Sequence, residues 1–391
     1  MNTRKPNLIV VLADQWRRQA VGCMGADPVV TPQMDRFAQQ GTLFENAFSC
    51  NPVCTPNRAA LLTGKHPFAL NMMYNWLRLP VEESTIAKEA KRAGYDTGYI
   101  GKWHLDEWDG DPKYGDAWNT LTPAGERRMG FDFWYSSGCF HKHFLRRYLT
   151  TENRVIEDEG WQIDHETDVA VDYVSNRSGV RDSSRPFCLF LSWSPPHTNH
   201  GGPRFDPSVE GYQYNAPEEY EKLYRGADLP VPANASADLF RRHAPGYLGA
   251  VSSMDHNFGR LLVCLDEEGV ADDTIVVLTA DHGDCLGSHN KLTKDVWYEE
   301  SIGIPFIVRW PGHVPAGSRQ AMLLNTPDIM PSLLGLMGCT VPDGLHGRDR
   351  SGVILGRQQQ SADVYLSFNG GSPYGIARWD VFPDEGNRMW R

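Results

Sequence analysis

The run Leu8-Ile9-Val10-Val11-Leu12-Ala13, followed directly by Asp14-Gln15, decides the fold class of this chain. An unbroken apolar run of this length, rich in β-branched residues, is typical of a strand buried on both faces, as in a parallel sheet covered by helices. Similar short apolar runs follow at Thr97 to Ile100, Phe187 to Trp193, Thr274 to Leu278 and Phe306 to Val308. We therefore predict a set of buried parallel strands.

Helical patterns separate these runs. A hydroxyl residue, which caps a helix, and a glycine, which ends one, bound three segments: Thr31 to Gly41, Ser84 to Gly94 and Thr326 to Gly338. The segment from Tyr247 to Gly269 carries an apolar stripe at helical spacing and predicts a longer helix. Strands that alternate with helices predict an α/β fold, with a large mixed but mostly parallel sheet flanked by helices on both faces.

Composition argues against several kinds of partner. The 391 residues are 41% hydrophobic and 22% charged, which is the makeup of an ordinary globular protein. The net charge of −11 argues against binding to nucleic acid or to an anionic membrane. The sequence contains no run of the roughly 18 apolar residues that a membrane-spanning helix needs. Its eight cysteines lack metal-ligand spacing and are predicted to be reduced.

The amino-terminal residues Met1 to Pro6 lead straight into the first apolar run, without the apolar region and cleavage site of an export signal. The chain as written is therefore expected in the cytoplasm, and in the periplasm or outside the cell if a signal was removed. The sequence favours no particular oligomeric state.

Polar residues follow four of the predicted strands at the point where each strand ends. These residues are Asp14-Gln15, Lys102 with His104, His197, and Asp281-His282. In an open α/β sheet the carboxyl ends of the strands form the edge at which ligands bind. Each residue could be an ordinary polar loop residue. Four strands that all end in this way nevertheless predict one shared site.

A reactive side chain lies at a predicted helix start in the sequence Cys54-Thr55-Pro56-Asn57-Arg58, which runs on into Ala59-Ala60-Leu61-Leu62-Thr63-Gly64-Lys65. Pro56 suits the first helical turn, and good helix formers follow Arg58. Unpaired backbone N–H groups and Arg58 would then face whatever Cys54 carries, which predicts an anion site. The competing interpretation is a small buried cysteine, or a disulfide bridge to Cys50.

The donors at the predicted sheet edge suit a hard divalent cation. Asp14, Gln15 and Asp281 supply oxygen atoms, and His282 supplies an imidazole. This set favours Ca²⁺, with Mg²⁺ or Mn²⁺ as alternatives. The competing interpretation of both pairs is a turn that follows a strand.

Cationic and imidazole side chains supply the other requirements of ester hydrolysis. Attack on a sulfate or phosphate ester requires that negative charge be cancelled and that a proton reach the leaving group. Arg58, Lys102 and Lys294 could cancel charge together with the cation. His104 and His197 could move protons near neutral pH.

These motifs resemble those of type I sulfatases, the arylsulfatase-like members of the alkaline phosphatase superfamily. They occur in the family's order: Pro6-Asn7-Leu8-Ile9 with Asp14-Gln15, the Cys54 segment, Gly101-Lys102-Trp103-His104, Ser194-Pro195-Pro196-His197, and Asp281-His282-Gly283-Asp284 followed by Lys294. The resemblance extends to about Arg348. It implies that a separate maturation enzyme oxidises Cys54 to Cα-formylglycine.

The resemblance also implies a role for each predicted site residue. The residues that would bind the cation are Asp14, Gln15, Asp281, His282 and the modified Cys54. Those that would support the hydrated aldehyde are Lys102, Arg58 and His104, and those that would hold the sulfate and protonate the leaving oxygen are His197 and Lys294. Many members carry a second aspartate where this chain has Gln15, so the charge around the cation is less negative here.

The implied reaction uses both hydroxyls of the hydrated aldehyde. One oxygen attacks sulfur and the alcohol departs, and the second hydroxyl then expels sulfate and restores the aldehyde. A serine could complete only the first half.

The resemblance divides the chain into two parts. Residues 1–350 correspond to the catalytic domain, and residues 351–391 to the start of a small C-terminal α+β subdomain. Because the sequence stops at Met389-Trp390-Arg391, within a predicted strand, this subdomain is expected to be incomplete.

The predicted function is hydrolysis of a sulfate ester on a small molecule or an oligosaccharide. Carbohydrate is the family's commonest substrate, and the rings that could contact a sugar are Trp103, Trp108, Trp134, Tyr135, His141 and His143. One alternative is a phosphonate monoester or phosphodiester hydrolase with the similar opening Asp14-Gln15-Trp16-Arg17. Another is a non-catalytic relative that binds glycans or anions without turnover.

Overall fold

The computed structural model describes residues 5–116, 118–140, 142–199 and 213–358, and the backbone of residues 366–367 and 389–390. The α-helices in these ranges are α1 Pro32–Gln39, α2 Cys54–Thr63, α3 Ile86–Arg92, α4 Gln162–Ser175, α5 Glu218–Glu221, α6 Ala237–Glu267, α7 Glu299–Ile302, α8 Thr326–Leu336 and α9 Ser351–Ile354. Short 3-10 turns occupy Gly22–Met24, Pro67–Leu70, Pro112–Tyr114 and Glu126–Arg128.

The strands are β1 Asn7–Asp14, β2 Thr42–Phe48, β3 Asp96–Lys102, β4 Gly115–Asp116, β5 Asn119–Thr120, β6 Phe133–Gly138, β7 Leu145–Thr150, β8 Val155–Glu159, β9 Phe187–Pro196, β10 Thr274–Ala280, β11 Gly303–Ile304, β12 Phe306–Arg309, β13 Ser318–Asn325, β14 Leu366–Ser367 and β15 Met389–Trp390. Strands β4 and β5 form a separate hairpin, and β14 pairs with β15.

Eleven strands of the described part of the chain form one mixed sheet in the order β11-β2-β12-β10-β1-β9-β3-β6-β7-β8, with β13 paired to β2. Its centre, from β10 through β1, β9 and β3 to β6, is parallel throughout. Antiparallel pairs lie on both flanks. The predicted fold class is therefore confirmed.

The central strands are continuous apolar runs because both of their faces are covered. Every residue of β1, β9 and β10 is buried. Full burial of an aliphatic side chain contributes about 1.5–3 kcal/mol, so the aliphatic residues of these strands stabilise the core strongly. The helices form two packed groups, one of α1, α4, α5 and α6 and the other of α2, α3, α8 and α9, and both groups contact the sheet.

The prediction of a parallel strand at Phe306 to Val308 was wrong in its direction. The strand exists as β12 but runs antiparallel to β10 and to β2. A short apolar run predicts a strand that is buried on both faces, but it does not predict the direction of the neighbouring strand.

Three predicted helix starts also differ from the structure. At α3 the side chain of Thr85, not that of Ser84, caps the helix by accepting from the backbone N–H of Lys88. The long helix α6 begins at Ala237, well before Tyr247, and Pro245 lies inside it. Gly246 is required there, because a Cβ atom at this residue would lie 2.1 Å from the carbonyl oxygen of Tyr214. At α8 the side chain of Asn325 caps the helix, not Thr326. The Thr326 hydroxyl instead donates to the carbonyl of Phe48.

The cysteines are all free thiols, including Cys50 and Cys54, so the bridge between them is excluded. Among the described residues, none of the helices is both long enough and apolar enough to cross a membrane. Most of the predicted C-terminal subdomain, residues 359–365, 368–388 and 391, lies outside the described residues.

Candidate active site

Cys54 lies at the start of α2, as the sequence predicts. It is the first helical residue, and every residue of this helix is buried. Its Sγ atom lies 3.2 Å from Nε2 of His282 and 3.6 Å from Oδ1 of Asp14. The ammonium group of Lys102 lies 3.7 Å away on another side. The thiol is therefore enclosed by charged and imidazole groups, which excludes the interpretation of a merely apolar buried cysteine.

Strand register brings the two carboxylates of the site together. Ala13 of β1 lies opposite Ala280 of β10, so Asp14 and Asp281 leave adjacent parallel strands at the same edge. The backbone N–H of Gln15 donates to Oδ1 of Asp281 at 3.1 Å. The sequence prediction that polar strand ends share one edge is confirmed for this pair.

The two oxygens of each carboxylate have different partners. Arg58 donates to Oδ2 of Asp281 at 2.8 Å and to Oδ2 of Asp14 at 3.2 Å. Lys102 also contacts Oδ2 of Asp14. Both Oδ1 atoms instead lie 3.6 Å from Nε2 of His282. The cationic side chains thus neutralise one side of the carboxylate pair, and the opposite side faces the imidazole and the cysteine.

Lys102 reaches this position because β3 passes very close to β9. Gly101 has φ of 96°, and a Cβ atom there would lie 2.1 Å from the carbonyl oxygen of Ser192. Only glycine fits such an approach in this conformation. The next residue, Lys102, is the last of β3, and its side chain is fully buried beside Asp14.

The hydrogen bonding of His282 leaves Nε2 able to bind a cation. Nδ1 lies 3.0 Å from the carbonyl oxygen of Gly283, which can only accept, so Nδ1 carries the proton. Donor atoms of Asp14, Cys54, Asp281 and His282 all lie within 4.8 Å of one another, and all four residues are buried. Two carboxylate oxygens and an imidazole nitrogen at this spacing fit a divalent cation.

The cations of the site shift the pKa values of its acids. Burial opposes ionisation of Asp14, but Lys102 and Arg58 outweigh it and hold the pKa of this carboxyl well below its ordinary value. Burial and Asp14 would raise the pKa of the Cys54 thiol, yet Lys102, Lys294 and His282 together lower it. The site is therefore built to hold negative charge at position 54.

Lys294 joins Gln15 to His197 through hydrogen bonds beside this cluster. Gln15 has a left-handed backbone, with φ of 63°, and its Oε1 accepts a hydrogen bond from Lys294. The same ammonium group lies 2.6 Å from Nε2 of His197. Nδ1 of His197 lies 2.9 Å from the carbonyl oxygen of Thr198 and so carries the proton, which makes Nε2 the acceptor from Lys294.

His104 lies against the start of α2. Its backbone is left-handed, with φ of 56°, and its carbonyl accepts from the Thr55 hydroxyl at 2.7 Å. Burial, reinforced by Lys102 and Arg58, holds the pKa of His104 well below its ordinary value. These surroundings therefore favour the neutral form of the His104 imidazole.

Three contacts of the site were not predicted from the sequence. Asn57 donates to the carbonyl of Asp281 at 2.5 Å, and Asp284 accepts from Nε2 of Gln15 at 2.5 Å and from the Tyr214 hydroxyl at 2.7 Å. Asn57 and Asp284 belong to two of the motifs quoted above, so their place in these motifs could have identified them as site residues. Tyr214 comes from a loop without a recognisable pattern.

Most of the rings that the sequence offers for sugar contact are packed inside the protein. Trp103 and Trp134 are buried in the core with ring centroids 5.1 Å apart, and His143 is buried against Asn215. Tyr135 packs on the ring of Tyr148, and His141 lies outside the described residues. Of that set, only Trp108 is exposed among the described residues.

Comparison with known proteins gives consistent matches. A family model described as Sulfatase matches residues 6–339. An ulvan-active sulfatase from Formosa agariphila is 36% identical over 356 residues, which cover 90% of this chain and 65% of that protein. The chain thus spans slightly less than two thirds of that relative's length.

Two solved structures share the fold. One, from Bacteroides thetaiotaomicron and described in connection with the metabolism of multiple glycosaminoglycans, has a TM-score of 0.86 at 30% identity and covers 94% of this chain and 80% of its own. The other is a phosphonate monoester hydrolase from Silicibacter pomeroyi, with a TM-score of 0.70 at 20% identity. The match covers 98% of this chain and 85% of the chain of that hydrolase. At that identity the second likeness shows the fold alone.

Proposed function

Because this chain belongs to the sulfatase family, we propose that it hydrolyses a sulfate ester on a carbohydrate at the buried cluster around Cys54. The observation that carries the proposal is the enclosure of Sγ by His282, Asp14 and Lys102 at the start of α2. A helix start and a lysine beside one side chain suit a nucleophile that attacks an anionic ester. The carbohydrate class rests on relatives named for ulvan and for glycosaminoglycan metabolism.

The nucleophile in this proposal is Cα-formylglycine derived from Cys54 by a maturation enzyme. When hydrated, this group would supply the attacking oxygen. The ammonium group of Lys102 lies 3.7 Å from Sγ of Cys54, where it can orient a hydroxyl group and stabilise its ionised form. His104, whose backbone carbonyl accepts from the Thr55 hydroxyl, would assist it from the start of the same helix. Arg58 holds the carboxylates of Asp14 and Asp281 in place through ion pairs with both.

The cation in this proposal is held by Asp14, Asp281, His282 and the modified side chain at position 54, with Gln15 as a further oxygen donor. Ca²⁺ is the favoured ion, with Mg²⁺ and Mn²⁺ as alternatives, because most of the donors are oxygens. It would reduce the charge repulsion between the sulfate ester and the carboxylates.

Loading of this site is expected to stabilise the fold. Ca²⁺ at one hundred times its dissociation constant, added to chelator-treated protein, should raise Tm by about 3 °C for a chain of this length. The measurement is a thermal unfolding series in Ca²⁺. His282→Ala should lose the rise, whereas the exposed His256→Ala should keep it. A rise of equal size in His282→Ala would contradict the assignment.

Asp284 is expected to position the amide of Gln15. Its Oδ2 accepts from Nε2 of Gln15, and this contact turns Oε1 towards Lys294 and the site. Asp284→Asn should weaken Ca²⁺ binding by about 10-fold or more, as loss of a partner to a metal ligand commonly does. Calorimetric titration of Ca²⁺ measures this change.

Tyr214→Phe is the matched control for Asp284→Asn. It removes the hydroxyl that donates to Asp284 and leaves the contact with Gln15 in place, so a smaller change is expected. Wild-type affinity in Asp284→Asn would show that the Gln15 amide is oriented by other contacts.

Two other activities are distinguished by substrate. A phosphonate monoester or phosphodiester hydrolase would cleave an aryl phosphonate faster than the matching aryl sulfate, and our proposal predicts the reverse. A non-catalytic relative would bind the sulfated ligand without releasing sulfate. One assay of both aryl esters at equal enzyme concentration separates the three.

A further inference from the structure

An aromatic cluster of His104, Trp76 and Trp118 extends from the candidate active site to the surface. The rings of Trp76 and His104 pack edge to face with centroids 6.1 Å apart. Trp76 packs against Trp118 with centroids 4.7 Å apart and planes at 89°. His104 is buried, Trp76 is half-buried and Trp118 is 52% exposed. The cluster therefore becomes steadily more exposed with distance from the site.

Trp76 is held against the site by its own backbone. It has φ of 63°, a left-handed conformation that a bulky residue adopts only when its surroundings require it. The preceding residue, Asn75, accepts a hydrogen bond at 3.0 Å from the backbone N–H of Thr55, the neighbour of Cys54. The position of Trp76 is thus tied to the start of α2.

Trp118 is fixed by a hairpin. It immediately precedes β5, which pairs with β4, and Oδ1 of Asp116 accepts from the backbone N–H of Trp118 at 2.8 Å and of Asn119 at 3.0 Å. Nε1 of Trp76 donates to the carbonyl of Trp118 at 3.3 Å. A large ring that is both exposed and held in place loses little conformational entropy when a ligand covers it.

We propose that Trp118, supported by Trp76, is a carbohydrate-binding platform for the sugar unit next to the sulfated one. The inference rests on the proposed function, because the sulfated unit must lie near His104 for its neighbour to reach Trp118. An indole offers a broad apolar surface for the C–H face of a sugar ring and leaves the ring's hydroxyls in water. The platform explains why so large a side chain stays exposed beside a polar site.

The test compares binding and turnover of substrates of different length. The probes are a sulfated monosaccharide and sulfated tetrasaccharides prepared from ulvan and from a glycosaminoglycan. Affinity is measured calorimetrically in a Cys54→Ala background, which does not need turnover, and kcat/KM is measured in the otherwise unaltered enzyme. Trp118→Ala should weaken binding of the better tetrasaccharide about 10-fold. The kcat/KM of this variant for the tetrasaccharide should fall by a similar factor because KM rises. Its affinity and kcat/KM for the monosaccharide should fall much less.

Two controls make the outcome decisive. Trp118→Phe, which keeps a ring, should restore most of the affinity. Phe68→Ala removes another exposed ring, 74% accessible, which lies beyond the far end of α2 from Cys54, and it should bind as the wild type does. Equal losses for monosaccharide and tetrasaccharide in Trp118→Ala, or no tetrasaccharide that binds more tightly than the monosaccharide, would overturn the platform. Tight binding that depends on Trp118 without any sulfate release would instead overturn the proposed hydrolysis and leave the platform standing.

Discussion

Cys54→Ala should lose sulfate ester hydrolysis by a factor on the order of 10⁶, the scale of removing a covalent nucleophile. The stability of the fold should change by no more than about 1–2 kcal/mol, because only one small buried side chain is truncated. Sulfate release from an aryl sulfate and thermal unfolding measure the two effects. In active wild-type protein, the peptide that contains residue 54 should weigh roughly 18 mass units less than the thiol form.

Cys50→Ala is the matched control for this prediction. Cys50 is also buried and free, but burial raises the pKa of its thiol, whereas the cations around Cys54 lower the pKa there. The Cys50 variant should keep its activity. The formylglycine nucleophile would be ruled out if Cys54→Ala retained turnover. It would also be ruled out if fully active wild-type protein yielded a residue-54 peptide with the mass of the intact thiol.

His197→Ala should lower kcat for an alkyl or sugar sulfate by about 10²–10⁴-fold, as loss of a general acid does. Nε2 of the buried His197 lies 2.6 Å from the ammonium group of Lys294, so in this proposal Lys294 protonates Nε2 and the imidazole passes that proton to the leaving oxygen. An activated aryl sulfate, whose leaving group departs without a proton, should be affected far less. Parallel kinetics on the two substrates measure the difference.

His256→Ala serves as the control, because this exposed imidazole belongs to α6 and packs against Tyr220, which is not one of the predicted site residues. An equal loss on both substrates in His197→Ala would show that His197 binds the sulfate group and does not supply the proton.

Variants of the charged residues deeper in the site are less informative. Arg58 and Lys102 face Asp14 and Asp281, and the exposure of these four side chains does not exceed 2%. Removing one partner of a buried ion pair leaves the other uncompensated, at a cost of about 3–5 kcal/mol. Loss of activity in such a variant would mix a chemical effect with unfolding.

The sequence located most of the site because the signals were local. A strand that is apolar throughout and ends in a polar pair identifies both the element and its functional end, as with Asp14 after β1 and Asp281 after β10. The start of a helix is also a local property, so Cys54 could be placed at the first residue of α2. A strand that is buried on both faces has the same continuous apolar sequence whether its neighbours are parallel or antiparallel. For that reason the predicted direction of β12 was wrong.

The sequence by itself determined the α/β fold class, the order of the motifs and the set of residues that meet at one sheet edge. Only the tertiary structure decided which carboxylate oxygens face His282 and which face Arg58, and which rings are core and which are exposed. The contact of Gln15 with Asp284 joins residues 269 positions apart, and that of Trp76 with Trp118 joins residues 42 apart. Such contacts depend on how strands and loops pack in space, and no local pattern of residues encodes that packing.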